Sequence, residues 1–487
     1  MRRGPRALLL AALIGAGGLG VGALPGIGAA PAVAAEPGMP AEPEKADPEK
    51  AADPEAASRA DSSRFIVLAV DNPLRQVPVR AGTSLAAYAG PPRYTVGSQA
   101  AAALEALQRE HRLQPVAAWP ITALGLHCVV FGLPEGRSRD ALLQALAQDA
   151  RVRLVQPLQD FSVHATMGDK VSGQELPATA PHYNDPYVNL QRGFVETHAA
   201  QAHRISVGRD VPIALVDTGV DGRHPDLQGR IAVQRDLVGA LGGAGAETDR
   251  HGTAVAGVMA AVANNQQGIV GIAPEARLSV YKACWYAGSG AEAVARCNSF
   301  TLAKALAAVL DSDARIVNLS LGGPADPLLD ALLQQLLRQR RIVIAALPAS
   351  GRREGFPAAA AGVIVVGSTG PGGGVADSSI GSSIGSLVGS TVRSTAAAAA
   401  PGVLLAPGRD VLTLVPGGRY DFASGSSIAA AHASGIAALL LAVDPRLDSA
   451  ALVSLLAAAG PAGARPGQIN AEAALNLLQQ RAQLAAR

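Results

Sequence analysis

Ala423-Ser-Gly-Ser-Ser-Ile-Ala-Ala-Ala-His-Ala-Ser-Gly-Ile-Ala-Ala-Leu-Leu-Leu-Ala442 is the stretch on which the reading of this chain turns. A Gly/Ser turn runs straight into a helix of small and apolar residues. Having no polar face to offer water, such a helix must be buried. A serine at its mouth holds its hydroxyl outward, beside backbone N–H groups that lack an intrahelical partner and can bind a developing oxyanion. The same serine reads equally well as an ordinary N-cap. What lies upstream decides between the two.

Two further signals precede it. The apolar run Val211-Pro-Ile-Ala-Leu-Val216 ends in Asp217-Thr218-Gly219, and ligands collect at the carboxyl ends of strands in α/β sheets. An Asp opening a turn is also common for local reasons. Asp249-Arg250-His251-Gly252-Thr253 then opens a second helix too apolar to be exposed, Ala254–Ala263. A histidine there is either a surface residue or a group placed to move protons. Each signal is weak singly. Together they stand in the order Asp, His, Ser, each at an element end, which is one known way of assembling a serine-hydrolase triad.

The surrounding pattern supplies the scaffold. Val211–Val216, Leu278–Ala283, Arg315–Leu319, Ile342–Ala346 and Val363–Val366 are continuous apolar runs bounded by turn residues. Strands buried on both faces of a parallel sheet look this way. Helices predicted at His251–Asn264, Phe300–Leu310 and Leu328–Arg338 fall between them. The fold class is therefore α/β, a doubly wound parallel sheet with helices on both faces. Two short helices, Ser449–Ala459 and Ala471–Leu484, finish the chain.

Ahead of this domain, strands at Phe65–Val70, Pro115–Trp119, Leu126–Leu133 and Val152–Gln156 alternate with helices at Ser98–Arg109 and Ser138–Asp149. That order is the split βαβ pattern, so a small α+β ferredoxin-like module is expected. Ser162–Pro181 is polar and unpatterned and reads as an exposed joint, where proteolysis concentrates.

Pro212–Leu227, Asp249–Gly257, Gly271-Ile-Ala-Pro274, Asn318-Leu-Ser-Leu-Gly-Gly-Pro324 and Gly425–Gly435 together resemble the subtilisin family of serine peptidases, across most of Pro186–Ala442. The resemblance implies that Ser427 is the nucleophile, rather than Ser424 or Ser426. It makes His251 the general base and Asp217 its orienting acid. Ser320-Leu321-Gly322 resembles the family's substrate-lining strand, which would pair with an extended peptide. The module before the domain resembles the family's propeptide, an intramolecular chaperone and inhibitor cut from the mature enzyme.

The chain departs from the family where an Asn usually donates to the oxyanion. Here it reads Ala345-Ala346-Leu347-Pro348-Ala349-Ser350, and proline has neither a side-chain donor nor an N–H. Loss of this donor costs a rate factor on the order of 10²–10³, a figure measured in this same family. Ser350, Ser426 or a loop residue would have to replace it. Otherwise Leu347 narrows the specificity, or the chain is a catalytically silent binding or scaffold protein. Ala254 and Ala431, where the family usually carries His and Pro, lie outside the proton path. Asp226 and Asn265 stand where the family often has calcium ligands, and oxygen donors of that kind suit the ion. A turn Asp and a loop Asn explain them equally well, so no metal site is assigned and no cofactor is required.

The bulk properties set the context. At 487 residues with a formal charge of +2 and few aromatics, the chain is long enough for more than one domain and gives no reason to invoke nucleic acid. Arg2, Arg3 and Arg6, an apolar run at Ala7–Ile14 and small residues up to Ala35 form a secretory signal. Gly and Pro break that run before it reaches spanning length, so no stable membrane anchor is expected. Export makes a disulfide permissible between Cys284 and Cys297, leaving Cys128 as a buried apolar residue. The expected organisation is signal peptide 1–35, disordered Pro/Glu/Ala linker 36–63, propeptide-like module 64–165, processing linker 166–184 and peptidase domain 185–487, with a low-complexity insertion at 370–400. The protein is expected to be a monomer, secreted or periplasmic. Polypeptides are its expected substrates and its own propeptide its inhibitor.

Overall fold

The computed structural model of the chain describes residues 61–73, 96–167, 181–239, 249–287, 294–371, 402–460 and 467–485. The expected signal peptide, nearly all of the 36–63 linker, and 372–400 of the expected insertion lie outside the described residues.

The first described body runs β1 (Phe65–Asp71), α1 (Ser98–His111), β2 (Gln114–Ile121), β3 (Leu126–Gly132), α2 (Arg139–Ala147) and β4 (Leu154–Pro157). The strands form an antiparallel sheet in the order β2-β3-β1-β4. Every apolar residue of β1 is buried, and the period of two explains why. Ile66, Leu68 and Val70 pack with Leu107, Leu142 and Leu146 of the module's own helices. Phe65, Val67 and Ala69 face the other way, into a core shared with the larger domain.

Two short strands follow, β5 (Asp160–Val163) and β6 (Thr166–Met167). This corrects the expected exposed joint. Residues 160–163 and 166–167 are strand, with Phe161 buried and 162–167 partly buried. Of the expected joint, 168–180 lie outside the described residues. Three residues of the expected linker are among those described, and a 3₁₀ turn at Ser62–Arg64 is tied down by the Ser62 hydroxyl donating to Asp160.

The larger body continues with β7 (Pro212–Asp217), β8 (Ile231–Asp236), α3 (Arg250–Ala260), β9 (Arg277–Lys282), β10 (Cys284–Ala287), β11 (Val294–Asn298), α4 (Ser299–Leu310), β12 (Ile316–Leu319), β13 (Leu321–Gly322), α5 (Pro327–Arg338), β14 (Ile342–Ala346), β15 (Ile364–Thr369), β16 (Val403–Pro407), β17 (Val411–Val415), β18 (Arg419–Ser424), α6 (Ser426–Val443), α7 (Ser449–Ala458) and α8 (Ala471–Ala485). Seven of these strands make a sheet in the order β16-β15-β14-β12-β7-β9-β8, with every pairing parallel.

Alternation along the central strands feeds two cores. Ile213, Leu215, Ile342 and Ile344 pack with α3 and α6 on one face. Ala214, Val216, Val317 and Val343 pack with α4 and α5 on the other. Helix α3 stops at Ala260, short of the predicted Asn264, because Ala261 turns to an extended conformation and the Val262 N–H goes to the Asp226 carbonyl. Among the described residues, α6 is the one helix long and apolar enough to cross a membrane. It is instead the core helix of this body, buried from Ser427 to Leu441.

The small module lies against α4 and α5. Trp119 meets Phe300 edge to face at 4.8 Å between ring centroids. The Gln156 side chain accepts the Leu328 N–H in the first turn of α5, and the Ser299 N–H at the start of α4 goes to the Gln159 carbonyl. Both helices thus have N-terminal donors satisfied by the module.

Candidate active site

Three element ends carry the expected residues. β7 delivers Asp217 at its carboxyl end, α3 begins one residue before His251, and α6 begins one residue before Ser427. All three side chains are buried. His251 Nδ1 and Asp217 Oδ1 are 2.7 Å apart, and the Thr218 N–H donates to that same carboxylate oxygen at 2.7 Å. The Thr218 hydroxyl oxygen accepts the Gly252 N–H at 3.0 Å, fastening the turn after β7 to the start of α3.

Ser427 departs from the simplest expectation of an unbroken hydrogen-bonded row. Its hydroxyl donates to the Ser320 carbonyl at 2.8 Å and accepts the His164 N–H at 3.1 Å. His251 Nε2 makes no hydrogen bond among the described residues. The reason is the strand that occupies the groove. β5 pairs antiparallel with β13, matching Val163 to Leu321 and Ser162 to Gly322. On its other side it pairs with β11, matching Phe161 to Cys297. β6 pairs with β18, matching Thr166 to Ser424. Between β5 and β6, the His164 carbonyl accepts the Ser427 N–H at 3.3 Å.

Glycines permit that approach. Gly425, ahead of α6, has φ 149°, and a Cβ there would lie 2.0 Å from the His164 carbonyl oxygen. A Cβ on Gly322 would meet the His164 ring at 2.6 Å, and one on Gly323 would meet Phe161 at 2.3 Å.

A buried polar network supports the serine, linking residues of two motifs quoted above by pairings that local spacing does not reveal. The Ser320 hydroxyl donates to Asn318 Oδ1 at 2.9 Å and lies 3.1 Å from the Ser427 carbonyl, while the Asn318 amide donates to the Ser434 hydroxyl at 2.9 Å. Beside His251, the Tyr286 phenol oxygen accepts the histidine's backbone N–H at 3.2 Å. Burial, with the Asp217 charge nearby, pushes that phenol up to about 12. Burial, with His251 second, pushes the His164 imidazole down to about 4. A spacing rule finds none of these partners, because each comes from a distant strand or helix.

Neither expected substitute for the missing oxyanion donor reaches the His164 carbonyl. The Ser426 hydroxyl donates to the Leu347 carbonyl at 2.7 Å, and Ser350 Oγ accepts the Arg352 N–H. Leu347 packs into the core beside Gly367. Asp226 and Asn265 are partners of each other, the amide donating to one carboxylate oxygen at 2.8 Å while the Ile269 N–H takes the other at 2.9 Å. Each Asp226 oxygen thus carries one N–H donor, and no step is routed through a cation there. Cys284 and Cys297 face each other across β10 and β11 and form a disulfide. Cys128 is buried and free, its thiol pushed up to about 12 by burial.

Comparison with known proteins agrees with this architecture. A family model described as the subtilase family matches residues 208–471. Thermitase of Thermoactinomyces vulgaris is 33% identical over 265 residues, 53% of this chain and 84% of thermitase. A thermophilic serine proteinase of Bacillus sp. (strain AK1) is 33% identical over 262 residues, 53% of this chain and 59% of that protein. The crystal structure of fervidolysin from Fervidobacterium pennivorans, a keratinolytic enzyme related to subtilisin, superposes with a TM-score of 0.61 at 20% identity. That match covers 85% of this chain and 60% of fervidolysin, so the chain spans about three fifths of two of these proteins. With the family model covering more than half of its length, this chain belongs to the subtilase family.

Proposed function

We propose that the chain is an exported serine endopeptidase that hydrolyses peptide bonds through Asp217, His251 and Ser427. One observation carries the reading. Ser427 holds both backbone groups of His164, its hydroxyl accepting the His164 N–H and its own N–H donating to the His164 carbonyl, while the outer imidazole nitrogen of the Asp217–His251 pair is unengaged among the described residues. A serine hydroxyl is a poor nucleophile until a base removes its proton. His251 takes that proton as Ser427 Oγ attacks the carbonyl carbon, then returns it to the leaving amine. Asp217 holds the ring's orientation and stabilises its charged form. The Ser427 N–H stabilises the oxyanion, and water repeats the cycle on the acyl-enzyme.

The module of residues 64–165 acts in this reading as an intramolecular inhibitor removed on maturation, and residues 1–35 as the export signal. The docked strand supports inhibition, since it fills the groove that a substrate needs. A second reading, a slow or silent binding protein, is favoured by Pro348. It leaves the Ser427 N–H as the one donor to the His164 carbonyl among the described residues. A fluorophosphonate probe on processed protein separates the two. Labelling of Ser427 is expected, and its absence in folded material would establish the silent protein.

A further inference from the structure

We propose that the peptide bond between His164 and Ala165 is the first bond this chain cuts, in itself, and that Phe161 and His164 are the side chains its groove recognises. The proposal rests on the peptidase reading above and adds the bond, the register and the recognised residues.

Register carries the argument. On the amino side of this bond, β5 is clamped between β11 and β13, and on the carboxyl side β6 is paired with β18. The peptide between the clamps belongs to His164 and Ala165. Its carbonyl oxygen takes the Ser427 N–H at 3.3 Å, while the Ser427 hydroxyl is tethered to the N–H of that same histidine at 3.1 Å. Among the described residues, no other peptide carbonyl of this segment bonds the Ser427 N–H.

Side chains pin the register. Phe161 is buried against Gly323 and meets Phe356 edge to face at 5.8 Å. The His164 ring lies against Gly322. Sliding the strand by one residue to present Val163–His164 or Ala165–Thr166 reverses which side chains face inward. Phe161 would leave its place, and a different residue would meet Gly322.

The step balances. Rotation about the Ser427 Cα–Cβ bond takes the hydroxyl proton from the Ser320 carbonyl to His251 Nε2. Oγ bonds to the His164 carbonyl carbon, the C–N bond to Ala165 breaks, and the Ala165 nitrogen receives the proton from His251. Water then releases a carboxylate at His164, leaving Ala165 as a new amino terminus.

The test is N-terminal sequencing and intact mass of the full chain at the earliest time at which cutting is seen. The chain and its Ser427→Ala variant are followed in parallel, with fluorophosphonate labelling alongside. The expected result is a first new terminus at Ala165 in the unmodified chain, with the 164–165 bond intact in Ser427→Ala. A first terminus elsewhere, with Ser427 labelled and the Ser427→Ala chain uncut, overturns the bond assignment and leaves the peptidase reading standing. Cutting at this bond in Ser427→Ala assigns it to another protease and overturns the proposal. Absence of both cutting and labelling overturns the peptidase reading, and the proposal with it. A second measurement does not depend on folding of a variant. Processed enzyme is given a synthetic peptide spanning 160–167. Cleavage after His164 is expected, with kcat/KM at least tenfold lower when the peptide carries His164→Asp or Phe161→Ala. Equal rates on all three peptides overturn the recognition assigned to these residues.

Discussion

Lys282 at the end of β9 holds the Asp249 carboxylate at 2.6 Å, and Asp249 stands two residues before His251. Lys282 is also the residue paired with Asp217 across β7 and β9. One ion pair, its lysine side chain 8% exposed, therefore ties the strand beside the acid to the start of the helix bearing the imidazole. Removing Lys282 takes away one charge-assisted hydrogen bond to a part-buried carboxylate, its Asp249 side chain 19% exposed. Lys282→Met is expected to lower stability by about 2 kcal/mol in urea titration and to lower kcat/KM at least tenfold. Adding Asp249→Asn should recover stability without recovering kcat/KM. Full activity in the double variant would make the pair a purely structural tie.

Gly425→Ala tests whether the groove strand needs the bare backbone it crosses. The new Cβ would sit 2.0 Å from the His164 carbonyl oxygen at a φ of 149°, a conformation costing roughly 1–3 kcal/mol for a residue with a side chain. In a Ser427→Ala background, hydrogen exchange at the amides of 161–167 should quicken at least tenfold. Unchanged protection would show that the strand is held without the close approach at Gly425.

The disulfide is expected to act on substrate binding as well as on stability. Its bonded residues are 13 apart in sequence, and closing a loop of that size stabilises by about 3 kcal/mol in the chain-entropy estimate. It also fixes β11, the strand that pairs with β5, and the hairpin strand that carries Tyr286. Cys284→Ala with Cys297→Ala should raise KM for extended peptides at least fivefold. A change in melting temperature with no change in KM would confine the bridge to stability.

His432 predicts an acid weakness. Burial pushes its imidazole down to about 4, and its Nδ1 lies 2.9 Å from the Ile428 carbonyl. The ordinary value is about 6.5, so between pH 6.5 and 4 the unfolded chain binds a proton that the folded chain does not. Stability therefore rises with pH across that window and is lost as pH falls through it. The urea midpoint of the Ser427→Ala chain should fall between pH 7 and pH 4.5, and His432→Gln should flatten that dependence. An unchanged slope would show that the folded and unfolded chains bind the same number of protons at His432 across this window.

Much of the scaffold is readable along the chain because it is written in local patterns. Ile342–Ala346 and Val211–Val216 are continuous apolar runs, and both are central strands of the parallel sheet. Asp217, His251 and Ser427 stand at element ends, where turn residues abut apolar runs. The groove segment is only partly readable in this way. Phe161, Val163, Ala165 and Met167 alternate with polar residues through Asp160–Met167, which is a strand period, but nothing local names its partners β11, β13 and β18, far away in sequence. Asn318, Ser434 and Tyr286 escape for the same reason, since each finds its partner only after the chain has folded.

The face shared by Trp119 and Phe300 carries one more consequence. Severing a single bond between β5 and β6 removes none of that apolar contact, nor the caps that Gln156 and Gln159 place on α4 and α5. Scission and departure are therefore two separate events. A nicked molecule keeps its plug, and the delay before outside polypeptides gain entry is governed by how fast the intact module dissociates or is digested.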